Sequence, residues 1–413
     1  MGDKKIVVMD VEGVIIPKRR YLLFDAGNIL SVYSFFKLLF FGLLYEAGLL
    51  PIRSALKRIF RLFKGVSFEE LFETFKDMPL IPEAEEFIRR LKSLGYKVAF
   101  ISSGLPDTFV KYLAKKLKVD FAYGLRLGVK EGRLTGEVEG TLLEERGKGI
   151  ILERILTEQG FSPSDCVVVV DDRNNLSMFP LSSLRVGYNP DYMISFKSDY
   201  VVKGGLLEVL PLITTGTPKG NISIFGKNEV LRKVIHMSAS FIPLICIHLL
   251  TREIVALILS SVALIYIISE IARLRNVEVP VLSTITRAAA NKSELYEFII
   301  SPINFALGII LSLVFFPEPI GYAAILTLTL GDSSASIFGK LLGRHAYPFN
   351  KGKWMEGTVF GFVFAFIGCL FFLNPTKSFL GASMGMFAET LPLPLDDNLS
   401  IPLAAGTIML LPI

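Results

Sequence analysis

The chain has 413 residues, enough for two or three domains, and a formal net charge of +5. Hydrophobic residues make up 51% of it, which excludes an ordinary soluble protein, and they concentrate in long runs after residue 230. No basic run is dense enough to predict a nucleic-acid partner, and the three cysteines have neither metal-ligand nor disulfide spacing.

Three short apolar, β-rich runs mark the first half of the chain, at residues 6–9, 98–101 and 167–170. Runs of this length and composition are typical of parallel strands that are buried on both faces. Helical patterns separate them, and one of these begins with a proline and stops at a glycine, over residues 82–95. The alternation predicts a doubly wound α/β sheet of Rossmannoid type over residues 1–212.

A reactive side chain follows each predicted strand: Asp10, Ser102 and Asp171. In open α/β sheets ligands bind at the carboxyl ends of the strands, so these side chains are expected to share one site. Lys148, in a Gly-Lys-Gly sequence before a helical stretch, would add a cation there. We expect Asp10 to attack a phosphoryl group and, together with Asp171, to bind Mg²⁺. Ser102 and Lys148 would bind the phosphoryl oxygens as charge develops on them.

These residues resemble the phosphoserine-phosphatase-like branch of the haloacid dehalogenase superfamily. The resemblance rests on DVEGV at 10–14, ISSG at 101–104, GRLTGEVEG at 132–140, Lys148, and DDRNN at 171–175. It implies a Mg²⁺-dependent phosphatase with a helical cap. Two positions depart from the family pattern, since its acid/base aspartate is Glu12 here and the second acid of its last motif is Asn175. A domain without activity, kept for regulation, is therefore the alternative.

The cap region, at about residues 15–80, contains an apolar stretch at 29–50 that is nearly long enough to span a membrane. A single span is excluded by topology, because Asp10 precedes the stretch while Ser102 and Asp171 follow it. We interpret the stretch as a cap helix with its apolar side at a membrane interface, an ordinary buried cap helix being the alternative. An apolar cap favours a lipid phosphate over phosphoserine as the substrate.

Residues 213–229 are rich in Thr, Gly and Ser and are predicted to form a linker. Beyond it, residues 230–413 contain repeated apolar stretches of the length that crosses a bilayer as a helix. We predict an all-α polytopic membrane domain of about seven transmembrane helices, at 231–250, 253–272, 296–316, 319–339, 355–373, 377–393 and 398–413.

The charges of the loops predict the orientation of this membrane domain. Lys and Arg gather before the first predicted span, between the second and third, and between the fourth and fifth, and basic loops face the cytoplasm. The beginning of the chain shows no secretory signal. We therefore expect a multi-pass protein of the cell membrane whose N-terminal domain and active sites lie on the cytoplasmic side.

Polar groups in the second half point to a phosphate site. Asp332 lies deep in the fourth predicted span, and an acid inside a membrane indicates function by default. Helical spacing places Ser336 and Lys340 on the same face as Asp332. Further acids and an amide lie in or beside the later spans: Glu356, Glu389, Asp396, Asp397 and Asn398. Acids that bind Mg²⁺, with lysines nearby, suit a nucleoside triphosphate.

These residues resemble the dolichol kinase family, the CTP-dependent polyprenol, phytol and diacylglycerol kinases, which is related to the phosphatidate cytidylyltransferases. The resemblance covers about residues 230–413. It rests on RK and H at 232–236, GDSSAS and GK at 331–340, KWMEG at 353–357, Glu389, and DDNL at 396–399 with Pro402. It implies Mg²⁺-CTP as the phosphate donor and a lipid alcohol as the acceptor.

The same resemblance implies roles for the residues of this second site. The metal would be held by Asp332, Asp396 and Asp397. CTP and its phosphates would be bound by Lys340, Lys353, Ser336 and Asn398. The alcohol would be oriented or deprotonated by Glu356 or Glu389.

The sequence therefore predicts a CTP-dependent kinase of a polyisoprenoid alcohol, fused to a phosphatase that acts on a lipid or isoprenoid phosphate. One alternative is a cytidylyltransferase that forms a CDP-lipid, with a phosphoserine-phosphatase-like or inactive first domain. Another is a transporter or scaffold, which is disfavoured because the acids gather at one membrane edge rather than along a midplane path. The sequence predicts neither the identity of the lipid nor the oligomeric state.

Overall fold

The computed structural model describes residues 5–17, 29–46, 49–76, 78–215, 227–274, 277, 279–290, 295, 297–393 and 395–412. The chain divides into two compact units, Met1–Lys219 and Gly220–Ile413, called unit 1 and unit 2 below. The predicted linker at 213–229 contains this division, but its residues 216–226 lie outside the described ones.

Unit 1 is built on a mostly parallel sheet. Its strands are β1 (Ile6–Met9), β2 (Lys97–Pro106), β3 (Phe121–Lys130), β4 (Arg133–Glu139), β5 (Cys166–Val170), β6 (Leu184–Tyr188) and β7 (Tyr200–Val202). Within the described residues they form one sheet in the order β4-β3-β2-β1-β5-β6-β7. Neighbouring strands are parallel, apart from the antiparallel pair β3–β4.

The central strands carry apolar runs because both of their faces are covered. Every residue of β1 and β5 is buried, and β-branched Val and Ile pack well on such a surface. The predicted α/β sheet is thereby confirmed. Strand β2 extends beyond its predicted end, and its register against β3 shifts after Ile101. Ser102 therefore lies in the irregular end of a strand rather than in a loop.

The helices of unit 1 are α1 (Val32–Glu46), α2 (Ile52–Arg61), α3 (Phe68–Lys76), α4 (Ala84–Ser93), α5 (Asp107–Leu117), α6 (Gly147–Gln159), α7 (Tyr192–Lys197) and α8 (Val209–Thr215). Helix α4 is the one predicted over residues 82–95, and Gly95 follows it with a φ of +84°, a conformation that glycine adopts without strain. Helices α1 to α3 lie in the region predicted to be the cap.

One core joins the cap helices to the sheet. Leu38 of α1, Phe60 of α2 and Leu71 of α3 belong to the same cluster of buried side chains as Val8 of β1. Burial of each such side chain contributes about 1.5–3 kcal/mol relative to exposure. The cap is therefore held on the sheet domain by apolar packing.

Unit 2 is predominantly helical. Its helices are α9 (Lys227–Ser238), α10 (Ile242–His248), α11 (Arg252–Leu274), α12 (Leu282–Ala289), α13 (Ser301–Phe315), α14 (Glu318–Leu326), α15 (Ser333–Leu342), α16 (Met355–Leu370), α17 (Pro375–Thr390) and α18 (Asp397–Met409). A π-helical turn, Thr327–Asp332, joins α14 to α15. Two short strands, β8 (Ala346–Tyr347) and β9 (Asn350–Trp354), pair before α16.

Glycines bring the helices of unit 2 into close contact. A Cβ on Gly357 would lie 2.4 Å from the carbonyl oxygen of Ala335, and a Cβ on Gly361 would lie 2.9 Å from the Ala335 side chain. Small residues at such crossings let helix backbones approach each other. Helices α15 and α16 can therefore place their polar side chains close together.

One helix among the described residues, α11, is long and apolar enough to cross a membrane by length and composition. Helices α13 and α16 are apolar but shorter. The predicted span at 231–250 is divided between α9, a 3-10 turn and α10. Seven spans therefore remain a prediction.

Candidate active site

The parallel register of β1, β2 and β5 gathers the predicted side chains of unit 1 at one edge of the sheet. Met9 at the end of β1 pairs with Phe100 on one side and Val169 on the other. Asp10, Ser102 and Asp171 follow these three positions by one or two residues. All three are buried, so the sheet places two acids and a hydroxyl in one enclosed site.

Asp10 is fixed by three donors. The backbone N–H of Val11 donates to Oδ1 at 2.8 Å. Lys148 Nζ and Asn175 Nδ2 both donate to Oδ2, at 2.5 and 2.7 Å. Charge-assisted hydrogen bonds fix the orientation of a carboxylate. Asp10 is therefore held in one orientation, as a carboxylate nucleophile requires.

The Gly-Lys-Gly sequence positions Lys148 at the start of α6. A Cβ on Gly147 would lie 2.1 Å from the carbonyl oxygen of Thr141, so the helix begins against another backbone segment. The N–H of Gly149 donates to Ser177 Oγ at 3.1 Å. The Lys148 ammonium is buried and also donates to Asn175 Oδ1 at 2.8 Å. Both flanking glycines thus serve to bring one cation to Asp10.

Three acids at this edge fit a divalent cation. Asp10, Asp171 and Asp172 each offer an oxygen atom, and these atoms lie within 4.8 Å of one another. Carboxylate oxygens are the ligands that Mg²⁺ prefers. Sequence reasoning missed Asp172, although the pair of acids directly after β5 was a signal for it. Asn175 donates to Asp172 Oδ1 at 2.9 Å, so this residue joins the acids to Lys148.

The loop after β1 approaches the acids closely. Gly13 has a φ of +81°, and a Cβ there would lie 2.3 Å from Asp171 Oδ2. Both the backbone conformation and the space therefore require glycine. Because Gly13 has no side chain, the loop that starts at Asp10 can pack against Asp171.

Glu12 lies beside Ser102 at the end of β2. Ser102 Oγ donates to Glu12 Oε2 at 3.3 Å and accepts the N–H of Leu105 at 3.0 Å. A Cβ on Gly104 would lie 2.1 Å from Glu12 Oε2. The longer acid that replaces the family's aspartate therefore occupies the space beside Gly104, and a side chain at position 104 would displace its carboxylate.

The cap reaches this site through Arg173. The Arg173 guanidinium donates to the backbone carbonyl of Tyr45, near the end of α1, and lies over the Tyr45 ring at 5.0 Å from its centroid. Arg173 directly follows Asp172 in the sequence. The acids that fit a metal and the cap helix are thus joined by one side chain.

In unit 2, Asp332 takes part in a buried ion pair. Lys233 Nζ of α9 donates to Asp332 Oδ2 at 3.0 Å, and both side chains are at most 10% exposed. His236 Nδ1 lies 3.8 Å from the same oxygen, and its ring stacks on Phe305 at 4.0 Å between centroids. Asp332 ends the π-helical turn, a local distortion that is frequent at functional sites.

Lys353 forms a second, partly buried group of ion pairs. Its Nζ donates to Glu389 Oε1 at 2.6 Å and to Asp397 Oδ2 at 2.7 Å. Thr358 Oγ1 donates to Glu389 Oε2 at 3.4 Å. The helix that carries Glu389 also packs against the π-helical turn, since a Cβ on Gly331 would lie 2.7 Å from the end of the Met386 side chain. The structure thus brings Lys353, Glu389 and Asp397 into contact, and the helix of Glu389 packs beside the turn that ends at Asp332.

The remaining predicted residues of unit 2 lie apart from these contacts or serve the backbone. Glu356 accepts the backbone N–H groups of Arg344 and His345 and contacts the His345 ring at 2.6 Å. Asp396 caps α18 by accepting the N–H and the side-chain amide of Asn398. Ser336 and Lys340 lie further along α15, where Lys340 is exposed.

The metal site of unit 2 stays a prediction. Within the described part of the chain, Asp332, Asp396 and Asp397 do not form a group of three acids close enough for one ion. Sequence reasoning gave Lys233 no role, because the partner of Asp332 is 99 residues away in the sequence.

Comparisons with known proteins concern unit 1. Residues 15–179 match the sequence model of the haloacid dehalogenase-like hydrolases. The phosphoserine phosphatase of Methanocaldococcus jannaschii is 36% identical over 167 residues, covering 40% of this chain and 79% of that protein. The phosphoserine phosphatase of Archaeoglobus fulgidus is 32% identical over 169 residues, covering 40% of this chain and 49% of that protein.

A solved structure, a phospho-aspartyl intermediate analogue of phosphoserine phosphatase, has 31% sequence identity and a TM-score of 0.45. The matched region covers 50% of this chain and 97% of the solved chain. The 36% identity to the Methanocaldococcus jannaschii phosphatase over 79% of that protein, with the family match at residues 15–179, shows the family. Through unit 1, this chain belongs to the haloacid dehalogenase-like hydrolases, with a phosphatase domain that resembles phosphoserine phosphatase.

Proposed function

We propose that unit 1 hydrolyses the phosphate monoester of a lipid or isoprenoid alcohol through a covalent phosphate on Asp10. The observation that carries this proposal is the orientation of the buried Asp10 carboxylate by Lys148, Asn175 and the Val11 N–H. A carboxylate that is buried and held in one orientation by three donors is prepared for attack on phosphorus.

The proposed reaction uses these side chains together with Glu12, which stands at the position of the family's acid/base aspartate. A carboxylate oxygen of Asp10 attacks the phosphorus atom, the ester P–O bond breaks, and the leaving alcohol takes a proton from Glu12. Water then attacks the same phosphorus, Glu12 accepts its proton, and the bond from phosphorus to Asp10 breaks to release phosphate. Ser102 and Lys148 stabilise the charge on the phosphoryl oxygens.

Phosphatases of this family generally use Mg²⁺, and the acids of unit 1 fit that ion. Asp10, Asp171 and Asp172 would hold it with carboxylate oxygens. When bound, Mg²⁺ offsets negative charge on the phosphoryl group. Lys148 keeps Asp10 oriented beside it.

The test offers the full chain phosphoserine and isoprenoid phosphates side by side, with Mg²⁺. We expect faster hydrolysis of the isoprenoid phosphates, and ³²P on the wild-type protein after an acid quench but none on the Asp10→Asn variant. A clear preference for phosphoserine overturns the substrate class. The absence of both turnover and trapped phosphate, in a chain with the wild-type circular dichroism spectrum, favours an inactive regulatory domain.

We further propose that unit 2 is a multi-pass membrane domain that transfers the terminal phosphate of CTP to a polyisoprenoid alcohol. The contact of Lys233 with Asp332 and those of Lys353 with Glu389 and Asp397 support this proposal, since each places a lysine against acids. Nucleotide sites often hold Mg²⁺ with one or two carboxylates plus the substrate phosphates. A group of three protein acids is therefore not required here.

Labelled CTP, Mg²⁺ and a panel of lipid alcohols test the second proposal. The assay uses the Asp10→Asn chain, so that unit 1 does not hydrolyse the product. CDP plus a lipid phosphate is the expected outcome, and Asp332→Asn should abolish it. With lipid phosphates as acceptors, pyrophosphate plus a CDP-lipid would instead show a cytidylyltransferase. Full activity in a folded Asp332→Asn protein would refute the assigned site.

The proposed topology places unit 1 and the loop at 340–354 in the cytoplasm of a cell whose membrane holds unit 2. Single cysteines in that loop, labelled from each side of the membrane, test the orientation. Labelling from outside would overturn the shared cytoplasmic location of the two sites.

A further inference from the structure

The outer face of α1 is apolar although it is exposed. Tyr33, Phe36 and Phe40 are 69%, 63% and 57% exposed. With the exposed Lys37 they occupy positions i, i+3, i+4 and i+7, which lie on one face of a helix. The opposite side of α1 buries Leu38 against the core. This helix therefore covers the core and still presents aromatic rings outward.

The neighbouring helix α2 exposes cations where α1 exposes aromatic rings. It buries Leu56 and Phe60, while Arg53, Lys57 and Arg61 are exposed at a spacing of four residues. The Arg58 guanidinium lies 5.5 Å from the ring centroid of Phe41 on α1, so a cation of α2 contacts an aromatic ring of α1. The two helices together present aromatic rings and positive charge.

The charge of this region is strongly one-sided. Residues 30–65 contain six Lys or Arg residues against a single acid, Glu46. Lys37 Nζ lies 4.3 Å from the ring centroid of Tyr33, so the cation on the apolar face already rests on an aromatic ring. Aromatic rings flanked by lysines and arginines are the composition that binds an anionic membrane surface.

We propose that the pair α1–α2 docks on a bilayer with anionic head groups, with the rings of Tyr33, Phe36 and Phe40 in the interface and the cations of α2 near the lipid phosphates. Charge selects this occupant, because an apolar protein partner gains nothing from the exposed cations Arg53, Lys57 and Arg61. The same chain contains α11, which is long and apolar enough to cross a membrane. A membrane-anchored chain keeps its cap at a high effective concentration of lipid.

Docking also bears on the proposed phosphatase. Tyr45, near the end of α1, contacts Arg173, which directly follows Asp172 of the acid group. A docked α1 therefore brings the catalytic edge of the sheet to the lipid surface, where the phosphate of a lipid substrate lies. This part rests on the proposed function of unit 1, whereas docking itself does not.

The experiment uses the full chain in nanodiscs. Cys246 is only partly buried and could react with the label, so it is changed to Ser. Cys166 and Cys369 are buried and can stay. Phe36→Cys is labelled with a fluorophore that brightens in an apolar environment, and nitroxide lipids serve as quenchers. In discs with anionic lipid we expect a blue shift and quenching by the nitroxide lipid. A label at Lys116→Cys, an exposed position on α5, is the control and should show neither.

The combined variant Arg53→Gln, Lys57→Gln and Arg61→Gln removes three cations. By the usual contribution of one cation near an anionic surface, docking should weaken roughly 100-fold, and quenching at position 36 should fall to the control level. Equal quenching in neutral and anionic discs overturns the proposal. So does a blue shift without lipid quenching, which would show that protein covers the face.

Two substrates separate the failure of docking from the failure of the proposed phosphatase. The triple variant should keep its rate on p-nitrophenyl phosphate, a soluble ester, and lose at least tenfold on an isoprenoid phosphate held in the bilayer. A chain that hydrolyses neither ester but is quenched at position 36 loses the proposed function and keeps the docking surface. Equal loss on both esters would mean that the substitutions damage the fold. The Tyr33→Ser and Phe40→Ser pair, made in the chain labelled at Phe36→Cys, then decides, since unchanged quenching in that pair refutes the role of the rings.

Discussion

Units 1 and 2 both bury lysines against carboxylates, but they assemble these groups in different ways. In unit 1 the acids follow the ends of parallel strands, so backbone hydrogen bonding brings Asp10 and Asp171 together. In unit 2 the partners lie on separate helices, and close helix packing brings Lys233 to Asp332. At a sheet edge, the short sequence pattern of each strand determines which side chains meet. Between helices, the meeting of side chains depends on how distant segments of the chain pack.

The difference extends to charge. In unit 1, Lys148 contacts Asp10, and Asp171 and Asp172 complete a group of acids that fits a cation. In unit 2, Lys233 and Lys353 already engage Asp332, Glu389 and Asp397. Unit 1 is thus prepared for an ion of its own. A triphosphate that enters unit 2 with its metal would have to exchange partners with these lysines.

The largest effect is expected from Lys148→Met, which tests whether unit 1 depends on a single cation. The variant loses the ammonium that orients Asp10 and stabilises the phosphoryl oxygens. Removal of one such preorganised donor lowers kcat by up to about 10³-fold. Initial rates with saturating Mg²⁺ measure it, and the CTP-dependent reaction proposed for unit 2 is the control. A loss below tenfold would contradict the role of Lys148.

A second prediction concerns stability in unit 2. Lys353→Met leaves the buried Glu389 carboxylate without its cation, and breaking a buried pair costs about 3 kcal/mol. Lys340→Met, at an exposed position, should change the free energy of unfolding by less than about 0.5 kcal/mol. Trp354, the single tryptophan of the chain, reports unfolding of unit 2 by fluorescence in detergent. Equal changes in the free energy of unfolding for the two substitutions would refute the idea that Lys353 stabilises unit 2 by pairing with Glu389.

Much of unit 1 could be predicted from the sequence because its signals are local. The runs of β1 and β5 are apolar throughout, since both faces of these strands are buried. The positions after them followed from the sheet topology, so Asp10 and Asp171 were expected to be neighbours. Asp172 was overlooked, because the pattern of a strand end does not say which of two consecutive acids faces the site.

Less of unit 2 could be predicted, because its contacts join distant segments. The spacing within α15 indicated that Ser336 and Lys340 share a face with Asp332. It did not indicate that Lys233 would reach the acid, since no helical period relates residues in separate helices. Glu356 is also a backbone acceptor for the turn at 344–345, a role that depends on a loop conformation that the sequence does not specify.

A third prediction sharpens the description of the unit 1 site at Glu12. Gly104→Ala places a methyl group where the Glu12 carboxylate lies, and displacement of a catalytic group by about an ångström can lower the rate about 100-fold. In the Glu12→Asp background the shorter acid withdraws, so the same Gly104→Ala change should matter less. The kcat values of the four proteins form a cycle. Equal losses in both backgrounds would show that Gly104 is not required by the length of Glu12.

The smallest effect is expected at an acid of unit 1 that lies outside the site. Asp120 accepts hydrogen bonds from Lys92, Lys97 and the Val98 N–H, at 2.5, 2.8 and 2.9 Å. Partial burial raises the pKa of Asp120, but these hydrogen bonds outweigh it and hold the pKa below the usual range. Asp120→Asn should lower the free energy of unfolding of unit 1 by about 1 kcal/mol at neutral pH.

The sign of the pH dependence follows from the direction of that shift. Because the pKa of Asp120 is lower in the folded state, its contribution is fully present above the unfolded value of about 4 and is lost as the pH falls through the folded value. The urea midpoint for loss of phosphatase activity measures it, compared between wild type and Asp120→Asn from pH 7 downward. The difference should shrink only below about pH 4, and kcat at pH 7 should not change. A lowered kcat would mean that the hydrogen bonds of Asp120, which lie away from the carboxyl edge of the sheet, also affect the reaction.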